Sequence, residues 1–283
     1  ISKKIRLKFF YNNIIVKKNG GKVMNKKIIT VIAIIFSISI ICVSGFFNEA
    51  KANDINKKIC WGIKRNDNHE QPDLGKENKE LIDKYNGIAM GSKEKKYIYL
   101  TFDLGYEGGY TEKILDDLKS NDVKACFFIT AHYLNTHPEL VKRMIEEGHD
   151  VGNHTVNHKS MPEITEAEIK KEVMDLHTAV YEKFGYEMKY IRPPKGEYSE
   201  KTLQICNEMN YQTVMWSFAY DDWEESKQGR EEYGKEKILK NLHPGEVMLL
   251  HGTSKDNMNI LSECIQMIKK EGYEFRKLEE FYR

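Results

Sequence analysis

From Lys96 onward the chain alternates short apolar, β-branched and aromatic runs with longer amphipathic stretches, a pattern that admits few folds. Strands are expected over 97–103, 123–130, 149–153, 188–192, 212–217, 247–251 and 273–275. Helices are expected over 111–120, 138–147, 165–184, 199–209, 232–242 and 256–271. The punctuation agrees: Pro138 opens one helix and Gly148 closes it, while Thr165 with Glu168 forms a capping box on a long helix that Gly185 ends. Seven strands alternating with helices imply parallel βαβ units, hence an α/β fold whose chemistry gathers at the C-terminal ends of the strands.

Polar residues do gather at those ends. The first strand runs into Asp103, and the third into His154-Thr155-Val156-Asn157-His158, two imidazoles four positions apart that can grip one divalent metal if the backbone makes a helical turn. The fourth ends at Arg192-Pro193-Pro194-Lys195-Gly196, the fifth runs into Asp221-Asp222-Trp223, and the sixth ends on His251. Singly, each has a plain reading: a solvated histidine pair, a capping Asp103, a core His251 with a satisfied hydrogen bond. Five such endings in succession argue for a site.

The first 52 residues do not belong to this pattern. Residues 1–27 hold nine Lys or Arg and no acid, an apolar run covers 28–47, and Ala50-Lys51-Ala52 is a small-x-small cleavage pattern. This reads as an upstream extension plus signal peptide cut after Ala52, with Met24 a better start than Ile1; the run is also long enough for an uncleaved membrane anchor. Either way the remainder is expected outside the cytoplasm, touching a membrane through this segment alone. Removing ten bases and Glu49 leaves 34 basic against 42 acidic residues, a net charge near −8 that argues against a nucleic-acid partner. Residues 53–95 read as a polar N-terminal arm with Trp61, Leu81 and Ile82 as its packing points, and 96–283 as the α/β domain. Of the five cysteines, Cys42 is in the leader and Cys126 reads as strand core. A disulfide among Cys60, Cys206 and Cys264 is left open.

The five segments, in this order over about 96–280, resemble the motifs of the polysaccharide deacetylases (NodB homology, carbohydrate esterase family 4). The runs Thr101-Phe102-Asp103-Leu104-Gly105-Tyr106-Glu107-Gly108-Gly109-Tyr110-Thr111, Arg192-Pro193-Pro194-Lys195-Gly196 and His251-Gly252-Thr253-Ser254-Lys255-Asp256-Asn257 resemble the branch that forms muramic δ-lactam in spore cortex. The resemblance implies an irregular (β/α)7 barrel, in agreement with the strand count. It implies N-deacetylation with Asp103 as general base, Arg192 as the cation that keeps it ionised, His251 as general acid and Asp222 as its partner. It also implies a divalent metal, zinc the first choice, on His154 and His158, and a main-chain N–H at Lys195 for the oxyanion. Pro194, Lys195, Trp223 and Leu249 would line the substrate pocket. Two positions depart from the family pattern. Leu104 stands where relatives carry a third, acidic metal ligand, so weak binding through two His and water is expected. Ala219 replaces an acid that braces the arginine.

For substrate, the resemblance implies N-acetylmuramic acid in peptidoglycan already stripped of peptide by an amidase, at the forespore envelope. The freed amine would then close on the lactyl carboxyl, with Lys195 as a candidate cation for that group and Tyr106, Tyr110 and Tyr220 as candidate sugar platforms. Two alternatives are a deacetylase of N-acetylglucosamine in peptidoglycan or chitin-like oligomers, and a glycan-binding pseudoenzyme whose metal site decayed at Leu104.

Overall fold

In a computed structural model, residues 55–66 and 68–282 are described, so the expected leader lies outside the described residues. Among the described residues no helix is long and apolar enough to cross a membrane.

The core is a curled parallel sheet. Its strands are β2 (Tyr97–Leu104), β3 (Cys126–Ile129), β4 (Asp150–Asn153), β5 (Tyr190–Ile191), β7 (Gln212–Thr213), β8 (Glu246–His251) and β9 (Glu274–Phe275). The order is β7-β5-β4-β3-β2-β8, with β9 paired to the start of β2. All seven expected strands are present. The fifth is shorter than expected because after Thr213 the chain leaves the ladder and makes single bridges, Val214 to Ile88 and Phe218 to Met248. The bridge to Met248 on β8 brings the two ends of the sheet together, which makes a barrel of irregular closure. The central strands β2, β3 and β8 are buried along nearly their whole length because both faces are covered.

Helices α2 (Thr111–Ser120), α4 (Pro138–Glu146), α5 (Glu166–Phe184), α6 (Glu200–Glu208), α7 (Glu231–Lys240) and α8 (Lys255–Lys270) return the chain between strands. The Thr165–Glu168 capping box forms, and Gly185 adopts φ 64° as the left-handed cap of α5. A six-residue helix, α3 (Ala131–Thr136), capped by Thr130, was not expected from the sequence.

The stretch ahead of the sheet is more ordered than an arm with three packing points. It contains β1 (Ile59–Cys60), antiparallel to β6 (Glu197–Tyr198), and the helix α1 (Lys76–Lys84). Trp61, Leu74, Ile82, Ile88 and Ala89 are all buried there, Ile88 completely. Its polar sequence concealed these contacts because their partners, such as Tyr198, Leu203 and Met215, are distant in the chain. Cys60, Cys126, Cys206 and Cys264 are all free thiols.

Candidate active site

Register sets the site. Asp103 on β2 is the direct neighbour of His251 on β8 and of Phe128 on β3, and Phe128 is in turn the neighbour of Gly152 on β4. The last residues of the strands therefore meet at one end, around a cavity of about 1040 Å³ whose walls include Asp103, His154, His158, Lys195, Trp223, Leu249 and His251.

Behind Asp103 lies Arg192, completely buried. Its guanidinium donates to Asp103 Oδ1 at 2.7 Å, to Thr101 Oγ1 at 2.9 Å and to the Val214 carbonyl at 3.1 Å, and its plane lies 4.2 Å from the Phe128 ring centre. Thr101, Val214 and the aromatic face thus supply the bracing that Ala219 does not. Gly152 makes room for this stack, since a Cβ there would lie 2.5 Å from the Phe128 ring. Burial alone would raise the Asp103 carboxyl, but Arg192, with His154 and His251, outweighs it and holds the group below the usual carboxylate range.

The two histidines sit in a loop and not on the helical turn that their spacing allowed. Thr155 and His158 adopt φ 66° and 55°, left-handed values that break any helix. Glu172 on α5 holds the loop by accepting the Asn157 main-chain and side-chain N–H groups at 2.7 Å each, while the Thr155 hydroxyl accepts the His158 N–H at 3.1 Å. The rings lie 4.8 Å apart. His154 Nδ1 meets the Arg192 carbonyl at 2.8 Å, which assigns the proton to Nδ1 and leaves Nε2, 3.6 Å from Asp103 Oδ2, as a lone-pair donor. Burial lowers both imidazoles, His158 to about 4, so both are neutral near pH 7, as metal ligands must be. Leu104 contributes nothing: strand alternation turns it into the hydrophobic core, completely buried, against Gly252. Among the described residues no group of three or more His, Cys, Asp or Glu is arranged to hold a metal ion; His154 and His158 are two imidazoles that share the cavity wall.

Beside His251, in the turn that follows β7, Asp222 is buried and grips it twice, accepting from the main-chain N–H at 2.7 Å and from Nδ1 at 2.8 Å. Burial pushes His251 down, but the Asp222 carboxylate, assisted by Asp103, more than offsets it and favours the imidazolium. Among the described residues the ring's hydrogen bond is made by Nδ1, not Nε2.

The remaining expected positions divide. Lys195 lies in a short turn with φ 60° and exposes its side chain at the cavity, and Leu249 forms a buried wall. Pro194 is buried and is not on the cavity wall, because the 3₁₀ turn from Pro194 to Gly196 turns it inward. Trp223 is 57 % exposed at the rim, a platform more than a wall for a methyl group. Tyr106 is similarly exposed and Tyr220 lines the cavity, whereas Tyr110 packs on the core. Glu172, Thr101, Gly152 and Asn257 were not anticipated; each acts through a partner far along the chain, which leaves no local signal.

The polysaccharide deacetylase profile matches residues 90–214. The peptidoglycan-N-acetylmuramic acid deacetylase PdaA of Bacillus subtilis is 42 % identical over 226 residues, 80 % of this chain and 86 % of that protein. Its solved structure, described as a family 4 carbohydrate esterase, superposes with a TM-score of 0.78 over 80 % of this chain and 97 % of that one. A peptidoglycan-N-acetylglucosamine deacetylase of Bacillus cereus is 33 % identical over 71 % of this chain and 74 % of its own length. With a register that sets Asp103 against His251 and relatives of this identity and coverage, the chain belongs to the polysaccharide deacetylase family.

Proposed function

We propose that this protein hydrolyses the N-acetyl group of muramic acid in peptidoglycan strands, outside the cytoplasm, and so prepares δ-lactam in spore cortex. The observation that carries the reading is the opposition of Asp103 and His251 on neighbouring strands, one held ionised by Arg192 and the other held protonated by Asp222. A binding protein has no use for such a pair, which argues against the pseudoenzyme reading.

In this reading Asp103 takes a proton from water as the water oxygen bonds to the acetyl carbon. His251 then gives a proton to the departing nitrogen from Nε2, the C–N bond breaks, and acetate and a free amine result. Arg192 keeps Asp103 charged and aimed, and the main chain at Lys195 is assigned to the oxyanion. A divalent ion, zinc the first choice, would be held by His154 and His158 and would supply Lewis acidity toward carbonyl and water. Leu249 bounds the acetyl pocket, and Trp223 and Tyr106 offer faces for neighbouring sugars. The exposed Lys195 ammonium at the cavity suits the lactyl carboxylate of a peptide-free muramic residue. That requires an amidase to act first. Ring closure onto the lactyl carboxyl is intramolecular and needs positioning more than added catalytic groups.

The test is to incubate the full chain with peptide-free and peptide-bearing glycan strands and to resolve the products by mass. Loss of acetyl followed by loss of water, on muramic acid of the peptide-free strands, is expected. Acetate released from glucosamine alone would replace this reading with the glucosamine one, and the absence of acetate release with added divalent ions would end both.

A further inference from the structure

Ser254 caps α8 by accepting the Asn257 N–H at 3.2 Å, which places Asn257 at the third helical position. Helical side chains lean toward the N-terminus, so its carboxamide reaches back to the end of β8. There Nδ2 donates to Asp222 Oδ2 at 2.6 Å and to the His251 carbonyl at 3.3 Å, while Oδ1 accepts the Tyr220 hydroxyl at 2.5 Å. Asn257 is 1 % exposed, so no solvent competes for these bonds. The tyrosine hydroxyl also fixes the amide: with Oδ1 turned to Tyr220, the NH₂ group faces the carboxylate. Tyr220 is itself seated by Gly234 in α7, where a Cβ would lie 2.9 Å from the hydroxyl oxygen. Glycine is unfavourable inside a helix, and this contact accounts for it.

We propose that Asn257, oriented by Tyr220, is a positioning residue that holds the Asp222 carboxylate against the main-chain and ring nitrogens of His251. The proposal deepens the deacetylase reading, in which His251 is the acid. The amide draws on the negative charge of Asp222, and it draws most when His251 is neutral and the carboxylate has no imidazolium beside it. Removing the amide therefore leaves Asp222 a stronger partner of the imidazolium. His251 then keeps its proton to higher pH and becomes a weaker acid. The charged and titratable groups facing His251 are Asp222, Asp103 on β2, Arg192 after β5 and the imidazoles of His154 and His158. Those facing Tyr220 include Asp222, Asp256, Cys264, Arg230 and Tyr233. All of these stay in place in the variants below.

The ring nitrogens of His251 are followed by NMR through a pH titration of the full chain, assigned with His251→Gln. Asn257→Leu should move the His251 midpoint upward by roughly half to one pH unit, a fraction of one hydrogen bond to a charged group, because the amide keeps part of that bond when His251 is charged. Tyr220→Phe should move it the same way by less. On peptide-free glycan, kcat should fall about tenfold in Asn257→Leu, and adding Tyr220→Phe to it should change nothing further, since the tyrosine acts through the amide. Should Asn257→Leu not fold, Tyr220→Phe and Gly234→Ala carry the same titration test. An unmoved midpoint in the folded variants, or a full additional loss from Tyr220→Phe in the double variant, overturns the proposal. The titration needs no turnover, so failure of wild type to release acetate would refute the deacetylase reading without touching this one.

Discussion

Replacing Asp103 by Asn is expected to do two separable things. It removes the base, and it strips a completely buried guanidinium of its 2.7 Å carboxylate partner. The bonds to Thr101 and the Val214 carbonyl remain, but neither carries charge. Breaking one side of a buried ion pair costs about 3–5 kcal/mol, which for a domain of this size lowers Tm by roughly 6–20 °C. The burial of Arg192 therefore predicts that Asp103→Asn loses stability as well as acetate release. A second change separates the effects: Asp103→Asn with Arg192→Met removes the stranded charge and should recover most of the lost stability while acetate release stays absent. The pH dependence has a definite sign. The Asp103 carboxyl is lowered in the folded protein, so its contribution is present above the unfolded carboxylate value, near 3.9, and is lost as pH falls through the lower folded value. Thermal unfolding of chelator-treated wild type and both variants, followed by circular dichroism from pH 7 down to pH 3, measures this. Equal Tm for wild type and Asp103→Asn at pH 7, or a double variant no more stable than the single one, would refute the ion-pair argument.

Asp222→Asn removes the anion that raises His251, so the alkaline limb of the kcat/KM profile should move to lower pH, with kcat reduced by about 10² or more; an unmoved limb would detach Asp222 from the acid. Glu246, completely buried with Oε1 unpartnered, has its carboxyl pushed well up by burial. Folding keeps it neutral while the unfolded chain ionises above its ordinary value, so stability is intact below that value and is lost as pH rises. Glu246→Gln should therefore gain about 1.4 kcal/mol for every pH unit over which the unfolded chain alone is ionised, and an equal Tm difference at pH 4 and pH 8 would refute this. Gly152→Ala puts a methyl group 2.5 Å from the Phe128 ring on which Arg192 rests, and should cost about 1–3 kcal/mol in chemical denaturation together with activity; a wild-type midpoint would mean that the ring yields freely.

Much of this protein was legible from its residues alone. Seven strands and their helices follow from local periodicity, caps and glycines, which act within one or two turns of chain. The order of the polar strand ends is a linear property, and so were Asp103, the histidine pair, Arg192, Asp222 and His251 as candidates. Period-two alternation already opposes Asp103 and Leu104 on the two faces of β2, and the structure turns Leu104 into the core accordingly. Tertiary structure decided what joins residues that are far apart. Barrel closure through Phe218 and Met248, the burial of Ile88, and the hold of Glu172 on the histidine loop are set by register and packing between distant segments. So are the bracing of Arg192 by Thr101, 91 residues away, and the reach of Asn257 to Asp222, 35 residues away. Such bonds leave no periodic trace because their energy depends on the spatial meeting of two strand or helix ends. The residues proposed to carry the chemistry were thus candidates in the sequence, while the groups that hold them in position could be found only in the folded chain.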